Sequence, residues 1–370
     1  MKIIINVILV FCFIFLSCTV PESEHIERTL YDPDLHGWKT ASWTPFGVGA
    51  RINGFAYGNV NGRDTYIAVS GNGIIGWSYN GDFWHKAAEL PIHFNAVAFG
   101  NGVFVAVGNA GRYAWSFDGK HWNVNENLIT GYGSENINGI AWGQDNFVVV
   151  GGNSNIAVTT SITSDGLGWD SRRPSANATT DPWNDVAFDS IGGRFYIVGN
   201  NGRRGWNGNV ATSSVWNIQT GGEHVGNSNI TKVTVGRRGA TSSGSETIGI
   251  GILFSNNRVA IVLHPDFNFG YYIDADLAPL QFIARLDQWG NPVFEDHVLF
   301  DITWGGGYFL VSGNASLIGH WNSANPSNFS GRFWSSMIFQ EFDRWPTTSI
   351  EALNGRFFVG NEGGKIGYSK

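Results

Sequence analysis

Three carboxylates fall where apolar strands would converge: Asp185, Asp301 and Glu351. Five arginines, Arg112, Arg203, Arg204, Arg237 and Arg238, stand beside expected loop ends. Carboxylates can trade protons, and guanidinium groups can hold anions. No nucleophile stands at a recognisable spacing from a base, so no residue is assigned a catalytic role. The nine histidines are scattered, without His-x-His or His-Glu-x-x-His. Asp32-Pro33-Asp34 and Asp274-Ala275-Asp276 lack the rest of a calcium loop. Gly-Asn turns recur, but without the helix and lysine that a phosphate cradle needs. Neither a metal nor a cofactor is expected.

The N-terminus carries chemistry of another kind. Met1-Lys2 precedes residues 3–16, which are apolar apart from Asn6. That run is too short for an ordinary spanning helix and suits the core of a signal peptide. It ends in Phe15-Leu16-Ser17-Cys18. A small residue before cysteine is what a lipoprotein signal peptidase requires; the thiol is acylated and the cysteine becomes the new N-terminus. Phe15 stands where leucine is usual. The expected division is signal peptide 1–17, a lipidated tether 18–36 beginning at Cys18, and one domain over 37–370. Cys12 would leave with the signal, so the mature chain could form no internal disulfide and must stand on its core.

The elements that would position these residues are strands. The chain has 370 residues, 42% hydrophobic and 14% aromatic, with 16 Trp. Charged residues make up 14%, against about 25% in an average domain. Fifty glycines and few charges describe many short strands joined by tight turns. The formal net charge is −7, and loss of Lys2 makes it more negative. That argues against a nucleic-acid partner.

One unit recurs seven times. Residues 94–123 read FNAVAFGNGVFVAVGNAGRYAWSFDGKHWN, and residues 52–84, 137–170 and 183–209 repeat the rhythm. The Asn after the second strand falls at 72, 109, 153, 200, 257, 314 and 361. These spacings fit the four-stranded blade of a β-propeller. Second strands such as Phe104-Val105-Ala106-Val107 are continuously apolar, as strands buried on both faces must be. The fifth unit is the weakest, with an insertion over 236–247 and a long exit over 264–297. The expectation is all-β: a seven-bladed propeller of four-stranded blades. The seventh unit lacks an outer strand at its C-terminal end, and residues 37–43 are expected to supply it.

Two units carry Ser78-Tyr79-Asn80-Gly81-Asp82-Phe83-Trp84 and Ser116-Phe117-Asp118-Gly119-Lys120-His121-Trp122, with a degenerate copy at 164–169. These segments resemble the Asp-box, or BNR, repeat of sialidase-type propellers, one residue shorter than its usual form. The resemblance covers two boxes well and a third loosely. It implies a structural role for Ser78, Asn80, Gly81 and Trp84, and for Ser116, Asp118, Gly119 and Trp122. The Asn or Asp caps its own turn, Gly takes positive φ, and Trp packs the turn onto the blade. A sialidase would also need an arginine triad, a Tyr–Glu pair and Arg-Ile-Pro opening the first blade. Here that blade opens Arg51-Ile52-Asn53.

Two rings of positions are expected to bind. Asn53, Asn95, Asn138, Asn184 and Thr231 open the innermost strands and would face a channel mouth. Arg112, Arg203 and Arg204, beside the Gly-Asn turns, would form an anionic or protein-docking patch. The favoured function is a membrane-anchored bacterial lipoprotein of the cell envelope, on its periplasmic or outer surface. It would act as an interaction or assembly scaffold for an envelope protein. A glycan-binding propeller and a sialidase-like hydrolase are the alternatives.

Overall fold

The computed structural model describes residues 37–369, except 126–128, 130–131, 175–178, 223–224, 239–246, 263–265, 267–280, 287–291, 297, 315, 323–334, 339–341 and 343–344. The expected signal peptide, Cys18 and the tether lie outside the described residues.

Seven antiparallel sheets follow one another as blades. The first is Ile52–Val60, Arg63–Ser70, Ile74–Ser78 and His85–Glu89, hydrogen-bonded in chain order. The inner strands of the others are Phe94–Gly100, Ile137–Gly143, Trp183–Asp189, Ile230–Arg238, Leu299–Gly305 and Thr347–Leu353. Six sheets have four strands. The fifth has three among the described residues: Ile230–Arg238, Thr247–Phe254 and Val259–Val262. Beyond it, Gln281–Leu286 pairs with Pro292–Asp296 in a separate two-stranded sheet. The long exit of the fifth unit therefore contains a hairpin of its own.

Seven buried apolar clusters fill seven seams, one between each pair of consecutive blades. Val103, Val105 and Val107 of blade two pack with Ile137, Phe147 and Val149 of blade three. Phe104 and Ala106, between them in sequence, pack with Ile67 and Val69 of blade one. Period-two alternation thus sends one strand's side chains to both neighbours, which is why the second strands are apolar at every position. Burial of each such side chain contributes about 1.5–3 kcal/mol. The ring closes between blades seven and one, where Phe358, Ile366 and Tyr368 meet Phe55, Tyr66 and Trp84. Lys39–Thr40 pairs antiparallel with Ile366–Tyr368, so the N-terminal strand completes blade seven. Its neighbour Trp38 stacks on Phe357.

Every inner strand carries a one-residue register shift at its start. The extra residue is Asn53, Asn95, Asn138, Asn184, Thr231, Phe300 or Thr348. A bulge re-aims its side chain, in five blades towards the next blade, whereas Thr231 Oγ1 donates to Leu253 of its own blade at 3.1 Å. Asn53 Nδ2 donates to the Phe94 carbonyl at 2.6 Å, and Asn95 to Ile137 at 2.8 Å. Asn138 donates to Trp183 and Asn184 to Ile230, both at 2.8 Å. Thr348 Oγ1 donates to the Ile52 carbonyl at 2.6 Å, across the closure. The opposite ends of the inner strands interlock by shape. A Cβ on Gly58, Gly100, Gly143 or Gly236 would lie 2.5 Å or less from the ring of Phe99, Trp142, Phe188 or Trp304 in the next blade. Blade four has Asp189 in place of that glycine, and an ion pair from Asp189 to Arg237 holds the seam to blade five.

Two outcomes are expected. Asn138→Ala leaves the Trp183 carbonyl without its donor and should cost about 1–2 kcal/mol in urea unfolding. A chain beginning at Phe46 bares the edge of Ile366–Tyr368; it should melt several degrees lower and self-associate in sedimentation velocity.

Candidate functional site

The axis encloses a cavity of about 480 Å³, lined by all seven inner strands. Its wall is set by the two positions that follow each bulge on the same side of the strand. In blades one to three these are Gly54 and Ala56, Ala96 and Ala98, and Gly139 and Ala141. In blades four to seven they are Asp185 and Ala187, Lys232 and Thr234, Asp301 and Thr303, and Ser349 and Glu351. One side of the channel is therefore small and apolar, and the other is charged.

The charged groups are tied to the seams. Asp185 Oδ2 accepts from the Val233 amide of the next blade at 3.1 Å, and Asp301 Oδ2 from the Ile350 amide at 3.0 Å. Lys232 Nζ lies 3.8 Å from Asp301 Oδ1. Thr303 Oγ1 accepts from the Ala352 amide beside Glu351 at 3.3 Å. Desolvation pushes Asp185 up to about 6, opposed by Lys232 and the Val233 amide. It raises Asp301 as well, again with Lys232 opposing. Glu351 is pushed up to about 8, first by desolvation and then by the charges of Asp301 and Asp185. Those carboxylates raise Lys232 against its own burial, so it stays charged. Three carboxylates thus face one lysine, and a proton retained on Glu351 reduces the cluster's excess negative charge from two to one. Arg51 stands at the mouth, 3.8 Å from Glu362, with its guanidinium over the Phe300 ring.

The asparagines expected to face a ligand are part of this frame. The side-chain amides of Asn53, Asn95, Asn138 and Asn184 are engaged in the blade-to-blade bonds above. Two of them also donate to the turn oxygens of Asn109 and Asn200.

Arg203 and Arg204 are corrected from the expected patch: they are 1% and 5% exposed. Arg203 Nη1 donates to Ser154 Oγ, Thr179 Oγ1 and the Asp181 carbonyl, and its guanidinium lies over the Trp183 ring. Arg204 donates to the carbonyls of Gly202 and Gly221, and burial lowers it to about 10. Both stems run inward beneath loops, where carbonyl and hydroxyl acceptors take the place of water. Arg112 remains exposed beside its turn.

The two Ser-x-Asn/Asp-Gly segments close on themselves. Ser78 Oγ accepts from Gly81, Asn80 Oδ1 from Asp82 and Phe83, and the Trp84 indole donates to Gly81. Ser116, Asp118, Gly119 and Trp122 repeat these bonds. Gly81 and Gly119 both have φ of +76°. The exposed aromatics Trp43, Phe83, Phe117 and Trp345 do not recur at equivalent blade positions, unlike the pockets a seven-fold lectin would repeat.

Lys232 and Arg51 were missing from the expected sites. Aligning the bulge position across the seven units would have placed Lys232 in the same ring as Asp185 and Asp301.

No family model matches the chain, and no curated protein matches its sequence. The fold is nonetheless a known one. A structure of YCF48 from Cyanidioschyzon merolae superimposes with a TM-score of 0.60 at 13% identity, covering 90% of this chain and 98% of that one. A structure described as YCF48 bound to D1 peptide gives 0.59 at 13% identity, covering 92% and 98%. At this identity the likeness is one of fold.

Glu351 ionises at 4.5 in ordinary surroundings and near 8 in the channel. Its neutral form is favoured by folding, so its contribution is fully present below pH 4.5 and is lost as pH rises through 8. Glu351→Gln should therefore gain stability over the parent across that window, by on the order of 1 kcal/mol per pH unit. Urea midpoints measured from pH 5 to pH 8.5 check this; parallel curves would contradict it.

Proposed function

We propose that this chain is an envelope scaffold that binds a segment of a partner protein at the axial mouth and is held to the membrane by an acylated Cys18. The observation that carries the reading is the one-sided charge of the channel. In blades one to three the ring positions are filled by Gly and Ala, so the fold does not require charges there. Four consecutive blades instead set three carboxylates and a lysine in the channel wall, at a cost that raised carboxylate pKa values make visible. Such an asymmetric site orients one ligand, where seven repeated sites would not. The fold itself accommodates peptides, since one of the similar propellers is described with a peptide bound. A lipid anchor would restrict the search for a partner to the membrane surface.

A second reading has one observation in its favour. Glu351 holds its proton to about 8, the state a general acid needs near neutral pH. Glycoside hydrolysis would then use the same cavity.

The test is a capture from native membranes by the full-length lipidated protein, beside Glu351→Gln and Lys232→Gln variants whose folding is verified by circular dichroism. One stoichiometric protein partner, retained at least tenfold less by both variants, is the expected result. A partner retained equally by all three proteins, or none at all, would overturn the axial reading. Turnover of sialosides or other fluorogenic glycosides that disappears in Glu351→Gln would favour the hydrolase. Cys18→Ser should move the protein from the membrane to the soluble fraction.

A further inference from the structure

At the end of the ring opposite the axial mouth, a second cavity of about 300 Å³ opens between blades one and two. Arg63 reaches it from the first hairpin of blade one, Tyr79 from the last hairpin of that blade, and Lys120 from the corresponding hairpin of blade two. Both cations converge on one phenol. The Arg63 guanidinium lies 4.6 Å from the Tyr79 ring centroid and Lys120 Nζ 4.8 Å from it. Together they hold the Tyr79 phenol below its ordinary pKa.

Neither cation forms an ion pair among the described residues. The nearby carboxylate, Asp118, is committed elsewhere. Its Oδ1 accepts from Ser116 Oγ and from the amides of Lys120 and His121, and its Oδ2 meets the His121 ring. The pocket therefore holds two positive groups against one engaged negative group. The backbone of two tight turns fixes its position, and solvent reaches Arg63 freely.

We propose that this pocket binds a carboxylate side chain of an acidic peptide segment. Arg63 offers a planar two-pronged donor that matches a carboxylate, and Lys120 adds a point charge beside it. The excess of one positive charge suits a singly charged group. The local rings are already covered: Tyr79 by the two cations, and Trp77 by Lys120 at 4.5 Å and by the stacked His85 ring. These engagements compete with the stacking that a sugar would use, which favours a peptide carboxylate over an acidic glycan. This site shares no residue with the axial channel, so it stands whether or not the axial reading does.

The experiment is titration of the full chain with fluorescein-labelled hexaglutamate, with hexaglutamine, glucuronate and inorganic phosphate as comparisons, at low salt. Two variants run in parallel: Arg63→Gln/Lys120→Gln, which replaces both cations without touching the core, and Glu351→Gln as an axial control. Hexaglutamate should bind the parent and the axial control alike. It should bind the double variant at least tenfold more weakly, and hexaglutamine should not bind. Equal binding by the double variant, or no hexaglutamate binding to the parent, would overturn the proposal. So would glucuronate or phosphate binding as tightly as hexaglutamate, because the pocket would then recognise an isolated anion and not a peptide.

Discussion

The seam between consecutive inner strands governs this molecule. A blade is a thin sheet with two apolar faces, and neither face can be buried without a neighbour on each side. Apolar packing between sheets is non-directional, so it does not by itself fix how far one blade slides past the next. Two directional devices do. At the mouth end, a bulged Asn or Thr places its hydrogen bond on the backbone of the following blade. At the far end, an aromatic ring occupies the space left by a glycine of the preceding blade. Together they pin the axial ends of the blades, and the channel between them takes its width from that spacing.

The same constraint explains where charge can accumulate. Positions just inside the bulge point across the seam at its axial edge, where some contact with solvent remains. A carboxylate there can take a backbone amide of the next blade, as Asp185 and Asp301 do. These groups are thus partly frame and partly site. What distinguishes Lys232 and Glu351 is that, among the described residues, neither takes a backbone amide of the next blade as Asp185 and Asp301 do, while the equivalent positions in blades one to three are Gly and Ala. Glu351 in particular raises the cost of folding as pH increases, and a residue retained against stability is more readily understood through a ligand than through packing.

The architecture was legible because repetition averages out local ambiguity: seven copies of the strand rhythm located the blades and the closure by residues 37–43. In the fifth blade three strands lie among the described residues, and the hairpin Gln281–Leu286 with Pro292–Asp296 in its exit is a pairing that the sequence alone does not distinguish from an outer strand. The asparagines were located correctly at the inner-strand starts. Their partners were not foreseeable, because a one-residue bulge turns a side chain from the channel to the next blade. Arg203 and Arg204 defeated the reading for a related reason. Their burial depends on Ser154, Thr179 and Gly221, which lie well apart from them in the sequence. Lys232 is not legible along its own unit, because the channel is built from one residue of every unit at the same height.

The two charged places of the ring differ in how they are neutralised, and this separates their chemistry. In the axial channel negative groups outnumber the positive one and are desolvated, so the cluster lessens its excess charge by holding a proton. Its charge then depends on pH and on any cation brought within reach. Between blades one and two the cations sit on aromatic rings near solvent, and the one adjacent carboxylate is absorbed by its own turn. An arginine stays charged across the physiological range, so that pocket keeps its sign whatever the channel does. Strand alternation puts these sites at opposite ends of the inner strands. A partner engaging both would have to pass around the rim of the ring, whereas two partners could occupy them together without collision.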